Sequence, residues 1–147
     1  MRTIKFRGRR IDNNEWVYGY LYSLQLPSGE ACMILTQDNN HLDNSLKPKY
    51  HLAFTLWVDL FIVNPVTVGQ FTGLYDKNGK EIYEGDIVRC NEFVYEVVYE
   101  SKRFASFALR RDKDMYDHYF GEAMECDACE VIGNIHDNSD LMKGGEQ

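Results

Sequence analysis

Apolar and polar positions alternate with a period of two through several short runs of this chain, and turn signals close each run. Ile4 and Phe6 alternate with Lys5 and Arg7, the pattern of a strand with one buried face. Residues 8–15 bring a glycine and an Asp12-Asn13-Asn14 cluster, which predicts a turn. Trp16, Tyr18 and Tyr20 then recur at every second position, interleaved with Val17, Gly19 and Leu21. This predicts a second strand, antiparallel to the first, with its aromatic face turned into the core. Pro27-Ser28-Gly29 marks the next turn, and residues 31–36 read as a short buried strand. Residues 37–49 are polar and predict an exposed, mobile loop. Residues 50–63 are so apolar that periodicity does not separate strand from buried helix, and Asn64-Pro65 ends them either way.

The second half keeps the same grammar. Asp76-Lys77-Asn78-Gly79-Lys80 has the chemistry of a short hairpin loop, with a type I turn at Lys77 and Asn78 and Gly79 in the left-handed position. Glu84-Gly85-Asp86 is a second tight turn, leading into a strand at residues 87–90. Phe93, Tyr95, Val97 and Tyr99 alternate against Val94, Glu96, Val98 and Glu100, and residues 104–110 predict a partner strand. Residues 112–130 are acidic and irregular, with room for a short helix; residues 130–135 read as a closing strand, and residues 143–147 as a flexible tail. Short strands at this spacing predict a mainly β fold, a small barrel or sandwich of antiparallel strands with at most one or two short helices, in a single domain spanning residues 1–142.

Composition narrows the function classes. A chain of 147 residues is long enough to bury a core, and 14% aromatic content with ten tyrosines suits pleated, half-buried surfaces. No run of about 18 apolar residues is present to cross a membrane as a helix. The basic residues Arg2, Lys5 and Arg7 have no apolar segment behind them, so a secretory signal is not expected and the cytoplasm is. In that setting Cys32, Cys90, Cys126 and Cys129 are expected as reduced thiols. The net charge of −7 argues against a general affinity for nucleic acid. The charge is uneven, however: residues 1–30 hold five basic and three acidic side chains, whereas residues 91–147 hold six and thirteen.

Three blocks carry a resemblance. They are Ile4-Lys5-Phe6-Arg7-Gly8 with Trp16-Val17-Tyr18-Gly19-Tyr20-Leu21, the long segment of residues 67–88 (Thr67-Val68-Gly69-Gln70-Phe71-Thr72-Gly73-Leu74-Tyr75 onward), and Val131-Ile132-Gly133-Asn134-Ile135-His136-Asp137-Asn138. In this order they resemble the YopX family of bacteriophage and prophage proteins. The resemblance implies a small, mainly β protein encoded by a phage or prophage, and it brings no assigned catalytic residues. Residues 24–63 and 101–129 lie outside the matching blocks.

Each motif with chemical potential has a structural competitor. Cys126-Asp127-Ala128-Cys129, with His118 and His136, could offer four zinc ligands. The histidines stand eight and seven residues away, and Glu125, Asp127 and Glu130 disfavour thiolates there, so no metal is expected. The Asp76 loop resembles an EF-hand only superficially, because the required glycine position is Glu81. Glu81, Glu84 and Asp86 are close enough in sequence for acid–base work, but turn and strand roles explain them without it. Lys5, Arg7, Arg9 and Arg10 beside Trp16 and Tyr18 are the candidate binding residues, a basic strand with aromatic stacking surfaces. The resulting expectation is a phage accessory protein without cofactor or catalytic constellation, acting as a binding or assembly module on an unidentified protein or a second copy of itself. The alternative is a nucleic-acid-binding module using the basic strand; a hydrolase or metal-dependent enzyme is the least supported reading.

Overall fold

The computed structural model describes residues 3–27, 29–36, 59–102, 105–112, 115–119 and 128–145. Mainly β architecture is observed, as the alternation predicts, in open antiparallel sheets without barrel closure. The described chain divides into two compact units, one within Ile4–Gly69 and one within Gln70–Gln147.

In the first unit, β1 (Phe6–Arg9), β2 (Trp16–Leu26), β3 (Gly29–Thr36) and β4 (Asp59–Val63) are arranged in the order β4-β3-β2-β1. The register places Arg7 opposite Tyr18 and Arg9 opposite Trp16. Tyr20 faces Leu35 and Tyr22 faces Met33, while Met33 faces Ile62 and Leu35 faces Leu60. The sheet curls far enough for Arg10 to form an isolated bridge with Val63, reinforced by the Asn64 amide donating to the Arg9 carbonyl at 2.8 Å. Asn64 caps a short 3-10 turn at Pro65–Thr67. There the Thr67 hydroxyl donates to the Asn64 carbonyl at 2.7 Å and accepts from the Arg9 amide at 2.9 Å. The core of this unit is Cys32, Ile34 and Val63, with Val17, Leu21 and Val68 packed against them.

In the second unit, β5 (Gly69–Tyr75) pairs with β6 (Glu81–Tyr83). A five-stranded sheet follows, formed by β7 (Asp86–Cys90), β8 (Phe93–Glu100), β9 (Ser106–Asp112), β10 (Met115–Tyr119) and β11 (Cys129–Asn134) in the order β10-β9-β8-β7-β11. Its core gathers Ile82, Val88, Tyr95, Val97, Leu109 and Val131 with the half-cystines below. The β5–β6 loop forms as its residues require: Gly79 adopts φ 78°, its amide donates to the Asp76 carbonyl at 2.9 Å, and the Asp76 amide donates to Lys80 at 2.8 Å.

Three sequence expectations need correction. Cys90 and Cys129 form a disulfide across β7 and β11; the register sets them directly opposite one another, a proximity that their separation of 39 residues conceals. The acidic stretch contains a strand, β10, because its backbone pairs with β9. A 3-10 segment runs over Ser139–Gly145. The aromatic face of β2 is outward, for reasons given below. The expected loop at residues 37–49 and residues 50–58 of the apolar run lie outside the described residues; the rest of that run is β4.

Candidate functional site

β2 owes its orientation to small residues. A Cβ on Gly19 would stand 1.9 Å from the Leu35 carbonyl oxygen, and one on Gly8 would stand 3.0 Å from the Val63 side chain. Backbone and aliphatic groups therefore already fill the concave side of the curled sheet, where Val17 and Leu21 meet Ile34 and Val63. At Gly19 there is no room for any side chain, so β2 turns Val17, Gly19 and Leu21 to this side and the alternate set, with the tyrosines, to the convex side. Gly19→Ala is expected to destabilise the protein by about 1–3 kcal/mol through this steric conflict, read as a lower denaturant midpoint. An unchanged midpoint would contradict the close approach of β2 and β3.

The convex face consequently exposes what a core would hide. Tyr18, Tyr20 and Tyr22 are 44%, 53% and 51% exposed. Leu24 and Leu26 continue the same side of β2, and Leu60 and Ile62 are exposed on β4, whose register puts them on that side. Exposed apolar side chains scattered singly are ordinary, but a contiguous set on one sheet face marks an interaction surface.

Cations border the tyrosines. Lys5 Nζ lies 5.9 Å from the Tyr18 ring centroid, and the guanidinium carbons of Arg7 and Arg9 lie 4.9 and 5.1 Å from that of Trp16. Arg7 is buried despite its charge and packs against the Trp16 ring. The candidate set Lys5, Arg7, Arg9, Trp16 and Tyr18 is thus assembled in one place. Arg10 departs from it. Its Nε and terminal nitrogen donate to the two Asp12 carboxylate oxygens at 2.9 and 2.5 Å, and its guanidinium carbon is 4.3 Å from the Phe61 centroid. The hydrogen bond to Asp12 holds the Arg10 pKa above its ordinary value against the opposing effect of burial.

The other candidates are dispersed or structural. Cys129 is committed to the disulfide, Cys126 and the His118 side chain lie outside the described residues, and His136 is exposed in a turn after β11. Among the described residues no group of three or more His, Cys, Asp and Glu side chains could hold a metal. Cys32 is buried, and burial, with the nearby Glu30 carboxylate, pushes its thiol pKa up. Glu81 accepts from the Tyr83 hydroxyl at 2.7 Å, and the buried Asp86 accepts from the Tyr83 amide at 2.8 Å; both serve the turn between β6 and β7. A cavity of about 350 Å³ in the second unit is lined by Gln70, Thr72, Leu74, Tyr99 and residues 105–107, with no histidine, cysteine or carboxylate. No described helix is long and apolar enough to cross a membrane.

The family model described as YopX protein matches residues 5–143. Among solved structures, the chain is similar to the crystal structure of protein EF1440 from Enterococcus faecalis, with a TM-score of 0.54 at 22% identity, covering 97% of this chain and 99% of that one. At this identity the likeness concerns the fold alone. No curated protein matches the chain.

Proposed function

The chain belongs to the YopX family, and from that premise we propose that it is a non-catalytic binding or assembly module whose working surface is the convex face of the β1–β4 sheet. The observation that carries this reading is the shared exposure of Tyr18, Tyr20, Tyr22, Leu24, Leu60 and Ile62 on one side of one sheet. A face of this kind costs solubility, and contact with a partner recovers that cost by burying it. The signature at residues 67–88 supports a phage or prophage accessory role inside the bacterial cytoplasm. In that reducing compartment the disulfide would persist through its burial, since neither sulfur-bearing residue is accessible.

The test compares the tagged wild type with the double variant Tyr20→Ser, Ile62→Ser in pull-downs from host cells, after thermal melts establish that both are folded. A partner of any class recovered by the wild type and lost by the variant is the expected result. A second copy of the chain would be one such partner, and light scattering over a range of concentrations identifies it. Equal recovery by both proteins would remove this face from the function.

A further inference from the structure

Resting on that reading of the convex face, we infer that its partner is a second copy of this chain, the two β1–β4 sheets packing face to face across a two-fold axis. The register sets Tyr20, Tyr22 and Leu24 of β2 opposite Leu35, Met33 and Ala31 of β3. It sets Leu35 and Met33 in turn opposite Leu60 and Ile62 of β4. These side chains form one apolar layer on a sheet whose other face is already packed around Ile34 and Val63. An apolar sheet face is stable when a second layer covers it. Two copies stacked about 10 Å apart supply that layer to each other, as the sheets of a β-sandwich do.

Area and charge favour this occupant. The seven large apolar side chains exposed on β2 and β4 are 39–53% accessible. At about 200 Å² for a fully exposed large side chain, they offer about 650 Å² per copy. That lies within the roughly 600–1,000 Å² that each partner buries in a stable complex. Among the described strand positions of this face, the charged ones are Arg7 and Arg9 on β1, both against the Trp16 ring at one end of β2. Glu30 and Asp59 belong to the opposite register. Two chains of −7 repel one another in general, but contact across this patch sets no strand carboxylate against another. A foreign partner selected by electrostatic complementarity would find little there to complement. An uncharged, aromatic-rich patch instead has the composition of a homodimer core, where like surfaces meet. Strand addition at the sheet edge is the poorer route, because β4 is already bridged to Arg10 and its Ile62 carbonyl accepts from the Ile11 amide at 3.2 Å.

Sedimentation velocity of the purified intact chain tests the inference. Over about 1 to 200 μM the wild type is expected to pass from monomer to dimer, with a Kd in the micromolar range or tighter. Higher salt should tighten the dimer by screening the repulsion between two anionic copies. Tyr20→Glu with Ile62→Glu should stay monomeric at every concentration while keeping a cooperative melt, because dimerisation would bury its new carboxylates. Val66→Glu adds the same charge at a 77% exposed position of the 3-10 turn, outside the four strands, and should dimerise as the wild type does. Should the two glutamates unfold the sheet, Tyr22→Ser with Leu24→Ser takes their place and should weaken dimerisation about 10-fold or more. A wild type that is monomeric throughout the range, or a dimer indifferent to substitutions on the face, would overturn the inference. A monomeric wild type that captures a different protein or a nucleic acid, lost by Tyr20→Ser, Ile62→Ser, would overturn the inference alone and leave the face as the working surface. A monomeric wild type with equal recovery by both proteins would overturn the inference and the face together.

Discussion

Replacing Cys90 and Cys129 together by alanine is expected to lower the unfolding free energy by about 2–4 kcal/mol. The bridge closes a 39-residue separation between β7 and β11, so its loss returns a long loop's freedom to the unfolded chain. It also leaves a gap among Ile82, Val88, Tyr95 and Val131, which pack in the same cluster. Differential scanning calorimetry of the variant against the wild type checks the magnitude. The same bridge predicts a chemical result. Both cysteines are fully buried, so thiol reductants should cleave it slowly in the native protein and readily once denaturant opens the sheet. Alkylation in denaturant without reductant should leave Cys90 and Cys129 unmodified. Their modification under those conditions would show that the bridge is absent in solution.

Asp76 carries the second large effect. Its Oδ1 accepts from the amides of Asn78 and Lys80 at 2.8 and 2.9 Å, and its Oδ2 accepts from the Val131 amide on β11 at 3.0 Å. The Lys77 amide adds a bond to the Cys129 carbonyl at 2.9 Å. One carboxylate thus shapes the β5–β6 loop and fastens it to β11. Asp76→Ala strands three amides and is expected to cost about 3 kcal/mol. Asp76→Asn is the more selective probe. It can keep a carbonyl oxygen toward the loop, but must then present an amide donor to the Val131 amide, so it should also destabilise.

The Asp76 carboxylate further predicts a pH dependence. Burial pushes its pKa up, but hydrogen bonds from Val131, Lys80 and Asn78, with the Lys80 charge, outweigh burial and hold it below the ordinary carboxylate value. A depressed folded-state pKa contributes stability that is fully present above the unfolded carboxylate pKa. That contribution is lost as pH falls through the lower, folded value. The wild type should therefore lose stability on acidification, and Asp76→Asn should lose less over the same range. Parallel stability–pH curves for the two proteins would contradict this assignment.

The Asp76 loop was also the part of the fold most legible in the sequence, because its determinants are local. A carboxylate that can accept from the amides two and four residues ahead, and a glycine free to adopt φ 78°, are contained in five consecutive residues. That Asp76 also reaches β11, 55 residues away, was not legible. Alternation likewise identified β2 and its antiparallel pairing with β1. It did not say which face is inside, because both faces of β2 carry apolar residues. Gly8 and Gly19 decide the matter only when Val63 and Leu35 are brought against them. β10 escaped notice for a related reason: its acidic surroundings carry no strand signal, and its hydrogen bonds are supplied by β9.

By itself, the sequence determined the mainly β class, the family and the tight turns, since these depend on residue type at fixed short spacing. It also placed Lys5, Arg7, Arg9, Trp16 and Tyr18 close enough along the chain for a hairpin to gather them. Tertiary structure alone decided that Cys90 meets Cys129, that Arg10 leaves the basic set for Asp12 and Phe61, and that the tyrosines of β2 face outward. Those outcomes depend on register and on the curl of the sheet. Both fix distances between residues far apart in the chain, and at Gly19 the backbone of β3 comes too close for any side chain.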